Sequence, residues 1–357
     1  MPARKRCVRC NLPHTFPGLH FSVDQVCNFC TASAHSEKPY WGEEKLCEDI
    51  QTVLNAPEHQ DRRYDAAVAF SGGRDSTFLL YYAKEVLKLH VLAISLSHDF
   101  VPKETLQRGQ KLCDSLGVDL KYIENKALNT YSRKLVRAWS HKPNAPMLIT
   151  FCTGCRYGIQ TLIPEYCRKE GIPILLVGNN RMEMMRYRQD ILATDPANPT
   201  AKSKILGYAK HIAKNPRLLV SPKCMALQAR EFRQTRRKPS TSPVLFAPMR
   251  DYFYLPEEAL IARIKALGWG HDPNFRSTWR ADCYVNVLRQ YYYQRLLGFT
   301  DQDVQYAQRI RAGSITKEEA LGALQKESHF DPEFLKFILQ DFYSLDYNEI
   351  ENRISKP

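Results

Sequence analysis

Residues 65 to 76 read Asp65-Ala-Ala-Val-Ala-Phe70-Ser71-Gly72-Gly73-Arg74-Asp75-Ser76, an apolar strand running into a Ser-Gly-Gly-x-Asp-Ser turn and then into a helix. Two glycines can take the positive φ of a tight strand-to-helix turn, and without side chains they let backbone N–H groups close on an anion. Ser71 and Ser76 add hydroxyl donors. A helix expected from Thr77 to about Lys88 points its positive end at the same spot, so the chemistry indicated is polyphosphate binding. The turn lacks the Gly-x-x-x-x-Gly-Lys-Ser/Thr spacing of a Walker A loop; Arg74 stands where a lysine is often found, with Asp75 beside it.

Sulfur is the second chemical theme. Cys7-x-x-Cys10 and Cys27-x-x-Cys30 have the spacing of a closed four-thiolate zinc site, and such a site supplies folding energy to a segment too short to build a core. Cys152-Thr-Gly-Cys155 is a further pair that cannot complete a tetrahedron alone; Cys167, Cys224 and Cys283 are the thiols downstream. Cys167 and Cys113 fall within expected helices and read as small buried hydrophobes, while Cys47 is uninformative. Eleven cysteines, an odd count grouped in Cys-x-x-Cys pairs, point to metal or sulfur chemistry in a reducing compartment rather than to a disulfide framework.

The loop resembles the PP-loop of the N-type ATP pyrophosphatases, whose α/β fold is of the adenine nucleotide alpha hydrolase type. That resemblance implies an enzyme that splits ATP into AMP and pyrophosphate while a substrate oxygen is adenylated. Ser71, Gly72, Gly73 and Ser76, with Arg74 and with Gly178 at a later strand end, would bind the nucleotide, and Asp75 would place Mg²⁺ or brace the loop. Within that superfamily, Cys152 and Cys155 are similar to the pair that holds a 4Fe-4S cluster in the tRNA 2-thiolation enzymes. A later cysteine completes the trio there, after a Pro-Leu strand end and a Glu-bearing helix; Cys283 matches that place and Cys224 is the reserve. Over nearly the whole chain the sequence also resembles N-acetyl sugar amidotransferases of surface-polysaccharide pathways, in Trp279-Arg-Ala-Asp-Cys283, Leu297-Gly-Phe299 and Ile310-Arg-Ala-Gly313-Ser-Ile-Thr316-Lys-Glu-Glu319. Gly178-Asn179-Asn180-Arg181 departs from the Gly-Glu-Asn type of sequence. The resemblances leave two expectations: replacement of the activated oxygen by sulfur delivered at the cluster, or by ammonia from a glutaminase partner.

The elements around these residues alternate. Strand 65–70, helix 77–88, strand His90 to Leu96, helix 103–116 and strand Leu120 to Ile123 form βαβαβ, with later strands at 173–177 and 244–247, so a parallel sheet is expected with its ligand crevice at the C-terminal strand ends. The domains expected are a zinc ribbon (1–35), a polar linker (36–62), the PP-loop domain (63–283) and a helical C-terminal region (284–357). Thr316 and Glu319 form a capping box after Gly313, and Asp331-Pro332 opens a last helix.

Of 357 residues 44% are hydrophobic and 25% charged, with a net charge of +13, as expected of a cytoplasmic enzyme with no membrane span. The N-terminus meets Cys7 and Cys10 rather than an apolar run, which argues against a secretory signal. A basic insertion at 202–238 carries eleven Lys and Arg against the single acid Glu231, suiting a mobile lid or an anionic partner: a phosphorylated or nucleotide-linked small molecule, or tRNA. Tyr208 and Phe232 are its only aromatics, too few for sequence-specific base stacking. Met182-Glu-Met-Met185 with Tyr187 reads as core or pocket lining.

Overall fold

The computed structural model describes residues 5–32, 40–178, 185–233, 245–253, 256–270, 275, 277–279 and 282–355. Five strands, β1 (Ala66–Ala69), β2 (Val91–Ser97), β3 (Asp119–Glu124), β4 (Ile174–Val177) and β5 (Leu245–Pro248), make one parallel sheet in the order β3-β2-β1-β4-β5. Ala67 lies opposite Leu92 on one side and Leu175 on the other. Short apolar runs such as Ala-Ala-Val and Ile-Leu-Leu are what a strand covered on both faces requires, and Ala66, Ala67, Val68, Ile174, Leu175 and Leu176 are fully buried. The edge strand β3 instead carries exposed Asp119 and Lys121, which discourage pairing with another chain. Strand order reverses beside β1, so the crevice opens at the carboxyl end of that strand, where residues 71–76 lie.

In chain order the helices are α1 (Asn28–Ala32), α2 (Glu43–Leu54), α3 (Arg74–Tyr81), α4 (Lys103–Leu116), α5 (Lys126–Ser140), α6 (Thr153–Tyr157), α7 (Ile163–Lys169), α8 (Tyr187–Asp190), α9 (Ala201–Lys214), α10 (Pro222–Arg233), α11 (Glu257–Lys265), α12 (Tyr284–Leu297), α13 (Asp301–Arg311), α14 (Lys317–Glu327), α15 (Pro332–Tyr343) and α16 (Tyr347–Ser355). Helix α3 starts three residues earlier than its sequence suggests, so Arg74, Asp75 and Ser76 form its first turn. The expected capping box is present: Thr316 Oγ1 accepts from Glu319 N at 3.2 Å and Glu319 accepts from Thr316 N at 2.8 Å. Asp331 caps α15, with Pro332 at the first helical position.

Three stretches depart from expectation. The supposed linker contains α2, whose Leu46 and Ile50 are buried in the core over the sheet, because apolar residues four apart share one helix face. Helix α5 was not foreseen; Asn125 caps it by accepting from Leu128 N at 3.1 Å. The described part of the basic insertion is the helix pair α9 and α10 rather than an open loop; residues 234–238 lie outside the described residues. Tyr208 is buried and its hydroxyl donates to Gln228, which removes it as a stacking surface. Met185 and Tyr187 belong to the core, while 182–184 are outside the described residues.

The largest core joins α5, α12, α15 and the cysteine-rich N-terminus around Trp139, Phe151, Tyr292 and Tyr343. Arg6 donates to Asp303 Oδ1 at 2.9 Å and Gly298 O at 3.2 Å, Thr15 donates to Leu297 O at 2.6 Å, and the Phe16 ring packs on Tyr187 and Phe299. The N-terminal unit is therefore seated on the start of α13.

Candidate active site

The turn after β1 is built for an anion. Gly72 takes φ +77°, a left-handed conformation that favours glycine, and a Cβ there would meet Thr105 Cγ2 at 3.0 Å. Ser71 Oγ accepts from Gly73 N at 3.2 Å, Ser76 Oγ accepts from Ser71 N at 3.2 Å, and the two hydroxyl oxygens are 3.2 Å apart. The serines thus shape the turn as well as offering donors to a phosphate. Trp269 Nε1 fastens the turn from outside by donating to Gly72 O at 3.1 Å. Gly178 closes the floor: a Cβ would approach Asp75 O to 2.9 Å, so β4 can end against the helix turn only as glycine. Asn179, Asn180 and Arg181 lie outside the described residues.

Arg74 lines the cavity, yet its guanidinium faces Glu257, to which Nη1 donates, and Asp75, whose Oδ1 accepts from Nε at 3.2 Å. Glu257 also receives Arg309 Nη1 at 2.6 Å and Thr278 Oγ1 at 3.2 Å. This buried hub ties the turn to α11 and α13, which no local sequence pattern announces.

The loop opens into a cavity of about 240 Å³. Ser71, Gly73, Asp75 and Ser76 line one side, and Cys152, Cys155 and Cys283 line the same space with Asp282 and Arg289. Cys224 is fully buried in the large core and is not among the lining residues. The Cys-Thr-Gly-Cys turn is held from beneath: Asn125 Nδ2 donates to Gly154 O at 2.9 Å, and a Cβ on Gly154 would lie 2.3 Å from Leu128 Cα. Glycine between the cysteines is a packing requirement set by α5. Burial pushes the Cys283 thiol well up, and Cys152, Asp282 and Cys155 add to the rise through their negative forms. A cation bound beside Cys283 would oppose that rise.

Two lining residues escaped the sequence reading. Arg289, buried in α12, donates through Nη1 to Cys152 Sγ at 2.9 Å and through Nη2 to Asn286 Oδ1 at 2.7 Å. Asp301, fully buried, stands 3.7 Å from the same Nη2 and accepts from Tyr187 at 2.6 Å and from Arg188 Nε at 2.9 Å. Despite burial, Arg188 and then Arg289 hold Asp301 down to about 2. An arginine in the Tyr-rich run 284–293 was the available signal, since a buried guanidinium is seldom without a partner.

His98, at the end of β2, is the other. Burial pulls it down to about 4, Asp99 only partly opposing, and its Nδ1 accepts from Phe100 N at 3.3 Å. The imidazole is neutral at pH 7. A depressed folded pKa gives stability that is complete above the unfolded value of 6.5 and is lost as pH falls toward 4, about 3 kcal/mol over that window. Urea unfolding near pH 7 and near pH 4 is expected to show a smaller loss for His98→Asn than for the wild type. An equal loss would assign the effect to other groups.

The N-terminal cysteines were read as metal ligands, and their geometry fits one ion. All four sulfurs lie within 4.8 Å of one another, with Cys7–Cys30 at 3.8 Å and Cys10–Cys27 at 3.6 Å. Thiolates at ~2.3 Å from a tetrahedral ion are about 3.8 Å apart. Cys7 Sγ also accepts from Cys27 N at 3.3 Å. The Cys27 hydrogen bond draws Cys10 down to about 5 while Cys27 itself is pushed up. Among the described residues this is the one such compact group, so Cys152, Cys155 and Cys283 are spread more widely than ligands of a single ion.

No family model matches the chain. In sequence it is 24% identical over 127 residues to 7-cyano-7-deazaguanine synthase of Clostridium novyi, covering 34% of this chain and 57% of that protein. The synthase of Clostridium acetobutylicum is 27% identical over 127 residues, again with 34% and 57% covered. The chain thus spans a little over half the length of these curated relatives. Among solved structures, a U34-tRNA thiolase from Methanococcus maripaludis with its [4Fe-4S] cluster aligns over 96% of this chain and 99% of its own at 14% identity and TM-score 0.36. An NH3-dependent NAD synthetase from Campylobacter jejuni aligns over 55% and 96% at 16% identity and TM-score 0.30. TM-scores this low carry no functional weight. The β3-β2-β1-β4-β5 parallel sheet, with Ser-Gly-Gly-x-Asp-Ser turning from its central strand into a helix, is the parallel α/β architecture that the PP-loop resemblance led one to expect.

Proposed function

We propose that the protein is an ATP-dependent, AMP- and pyrophosphate-forming enzyme that adenylates a substrate oxygen and replaces it with sulfur at a 4Fe-4S site. The observation that supports this reading is the common cavity of the Ser71–Ser76 turn and Cys152, Cys155 and Cys283. The Gly73 N–H, the serine hydroxyls and the start of α3 would bind the β- and γ-phosphates, leaving the α-phosphorus exposed to the substrate oxygen. Asp75 and Asp282 are the carboxylates at the turn that would hold Mg²⁺; a Cβ on Gly73 would lie 3.0 Å from Asp282 Oδ2. Attack at the α-phosphorus expels pyrophosphate, and expulsion of AMP then completes the exchange.

Cys152, Cys155 and Cys283 would hold the cluster, which when bound would present donor-derived sulfide to the carbon from which AMP leaves. Arg289 would keep Cys152 oriented and partly neutralise the site. The four N-terminal thiolates would hold structural Zn²⁺. Exposed Lys202, Lys210, Lys214, Arg217 and Lys223 on and beside α9 and α10 fit an anionic substrate, whether tRNA or a phosphorylated or nucleotide-linked small molecule. A sulfur donor would be needed in each turnover. Among the described residues no helix is long and apolar enough to cross a membrane.

Anaerobic purification tests the reading. The protein is expected to be brown, with roughly four irons and one zinc per chain. Serine at Cys152, Cys155 or Cys283 is expected to remove iron and turnover while ATP still binds. A colourless wild type that remains free of iron after reconstitution, yet releases pyrophosphate with ammonia, would replace the sulfur reading by amidotransfer to an N-acetyl sugar, with a glutaminase as partner.

A further inference from the structure

The carboxyl ends of β1 and β2 lie side by side, since Ala69 pairs with Ile94, so the residues that follow β2 are neighbours of the turn at 71–76. Among the described lining residues of the cavity, His98 is the one imidazole. Two residues further on, the Phe100 carbonyl accepts from Tyr284 N at 2.9 Å, and Tyr284 follows Cys283. His98 is therefore carried on a segment fixed at one end to the strand beside the turn and at the other to the start of α12. An α-phosphorus with its pyrophosphate in the turn and its substrate toward the cysteines lies over that interval.

The backbone sets which ring nitrogen bears the proton. Nδ1 accepts from Phe100 N at 3.3 Å, so the neutral ring carries its hydrogen on Nε2. Burial keeps the ring neutral against Asp99, whose carboxylate is itself engaged by Arg133 Nη2. Among the described residues no acceptor is bonded to Nε2, and the ring is half-buried on the cavity wall. A donor fixed in this way needs no reorganisation when negative charge grows on an oxygen in front of it.

We propose that His98 is a catalytic residue of the adenylation step, its Nε2–H donating to a non-bridging oxygen of the α-phosphate. The substrate oxygen bonds to the α-phosphorus, the bond from that phosphorus to the bridging oxygen breaks, and pyrophosphate leaves with the electron pair; no proton moves to or from the ring. This role rests on the adenylation reading.

Two amides separate the two ring nitrogens. In His98→Asn the side-chain oxygen can take Phe100 N as Nδ1 does, but no donor reaches the Nε2 position; in His98→Gln the amide N–H does reach it. Pyrophosphate release is expected to fall about 10²-fold in His98→Asn, in kcat rather than in the KM for ATP, and to return to within about tenfold of the wild type in His98→Gln. Thermal unfolding checks that each variant is folded. Equal release by His98→Asn and the wild type, an equal loss in both folded variants, or a loss carried by KM alone would overturn the role. A measurement on the wild type keeps the test available should the variants fail to fold: ¹⁵N-histidine NMR at pH 7 is expected to show His98 as the neutral Nε2–H tautomer with an Nε2 resonance that moves when AMP and pyrophosphate are added. An Nδ1–H tautomer, a charged ring or an unmoved resonance would overturn it. A wild type that releases no pyrophosphate removes the adenylation reading and this role with it, whereas release that ignores His98→Asn removes the role alone.

Discussion

Ser71→Ala and Asp75→Ala are each expected to lower pyrophosphate release from ATP by about 10²–10³-fold, the scale on which losing one preorganised electrostatic contact slows a reaction. The two act differently. Ser71 Oγ accepts from Gly73 N at 3.2 Å, so its removal frees the turn and is expected to weaken nucleotide binding as well as turnover. Asp75 touches the loop through Arg74 Nε, and Arg74 keeps Glu257 when the carboxylate is lost, so the turn should persist and the defect should fall mainly on turnover. Radiolabelled ATP resolved into AMP, ADP and pyrophosphate checks both variants. Appearance of ADP and phosphate in the wild type would remove the AMP-forming assignment altogether.

Cys27→Ser is expected to have the largest effect on folding. Cys27 Sγ lies 3.6 Å from Cys10 Sγ in a group of four sulfurs that are all within 4.8 Å of one another, so the substitution removes one of the four ligands that together close the site. Structural zinc sites in small segments supply on the order of 10 kcal/mol, and this segment has little core of its own. The damage should spread, because Phe16 covers Tyr187 and Phe299, and Tyr187 donates to Asp301 beside Arg289. Zinc content should fall from roughly one per chain to near none, with lower solubility and an earlier thermal transition. Zinc and transition unchanged in Cys27→Ser would exclude a metal-supported N-terminus.

The chain alone determined the features that depend on neighbours in sequence. An apolar strand, two glycines, two serines and a helix within a dozen residues specify an anion-binding turn because backbone conformation and hydrogen bonding act over that range. The two Cys-x-x-Cys pairs at the N-terminus, the Thr316–Glu319 capping box and the Asp331-Pro332 helix start are legible for the same reason. Alternating strands and helices likewise specified a parallel sheet, since a parallel pair needs a crossover between its strands.

Tertiary packing decided the rest. Spacing left Cys224 and Cys283 both available to Cys152 and Cys155; Cys224 is buried in the core, and Cys283, ahead of α12, lines the cavity. Which cysteine arrives there depends on how α10 and α12 pack, far along the chain from Asn125 and Leu128, which seat the Cys-Thr-Gly-Cys turn. The residues 36–62 looked like a linker because polar residues dominate, yet Leu46 and Ile50 on one face of α2 suffice to bury it. Arg289 looks like an isolated polar residue within a helix; only when α12 is folded against the Cys-Thr-Gly-Cys turn does it meet a cysteine sulfur, because a buried polar group acquires its role from what packing places opposite it.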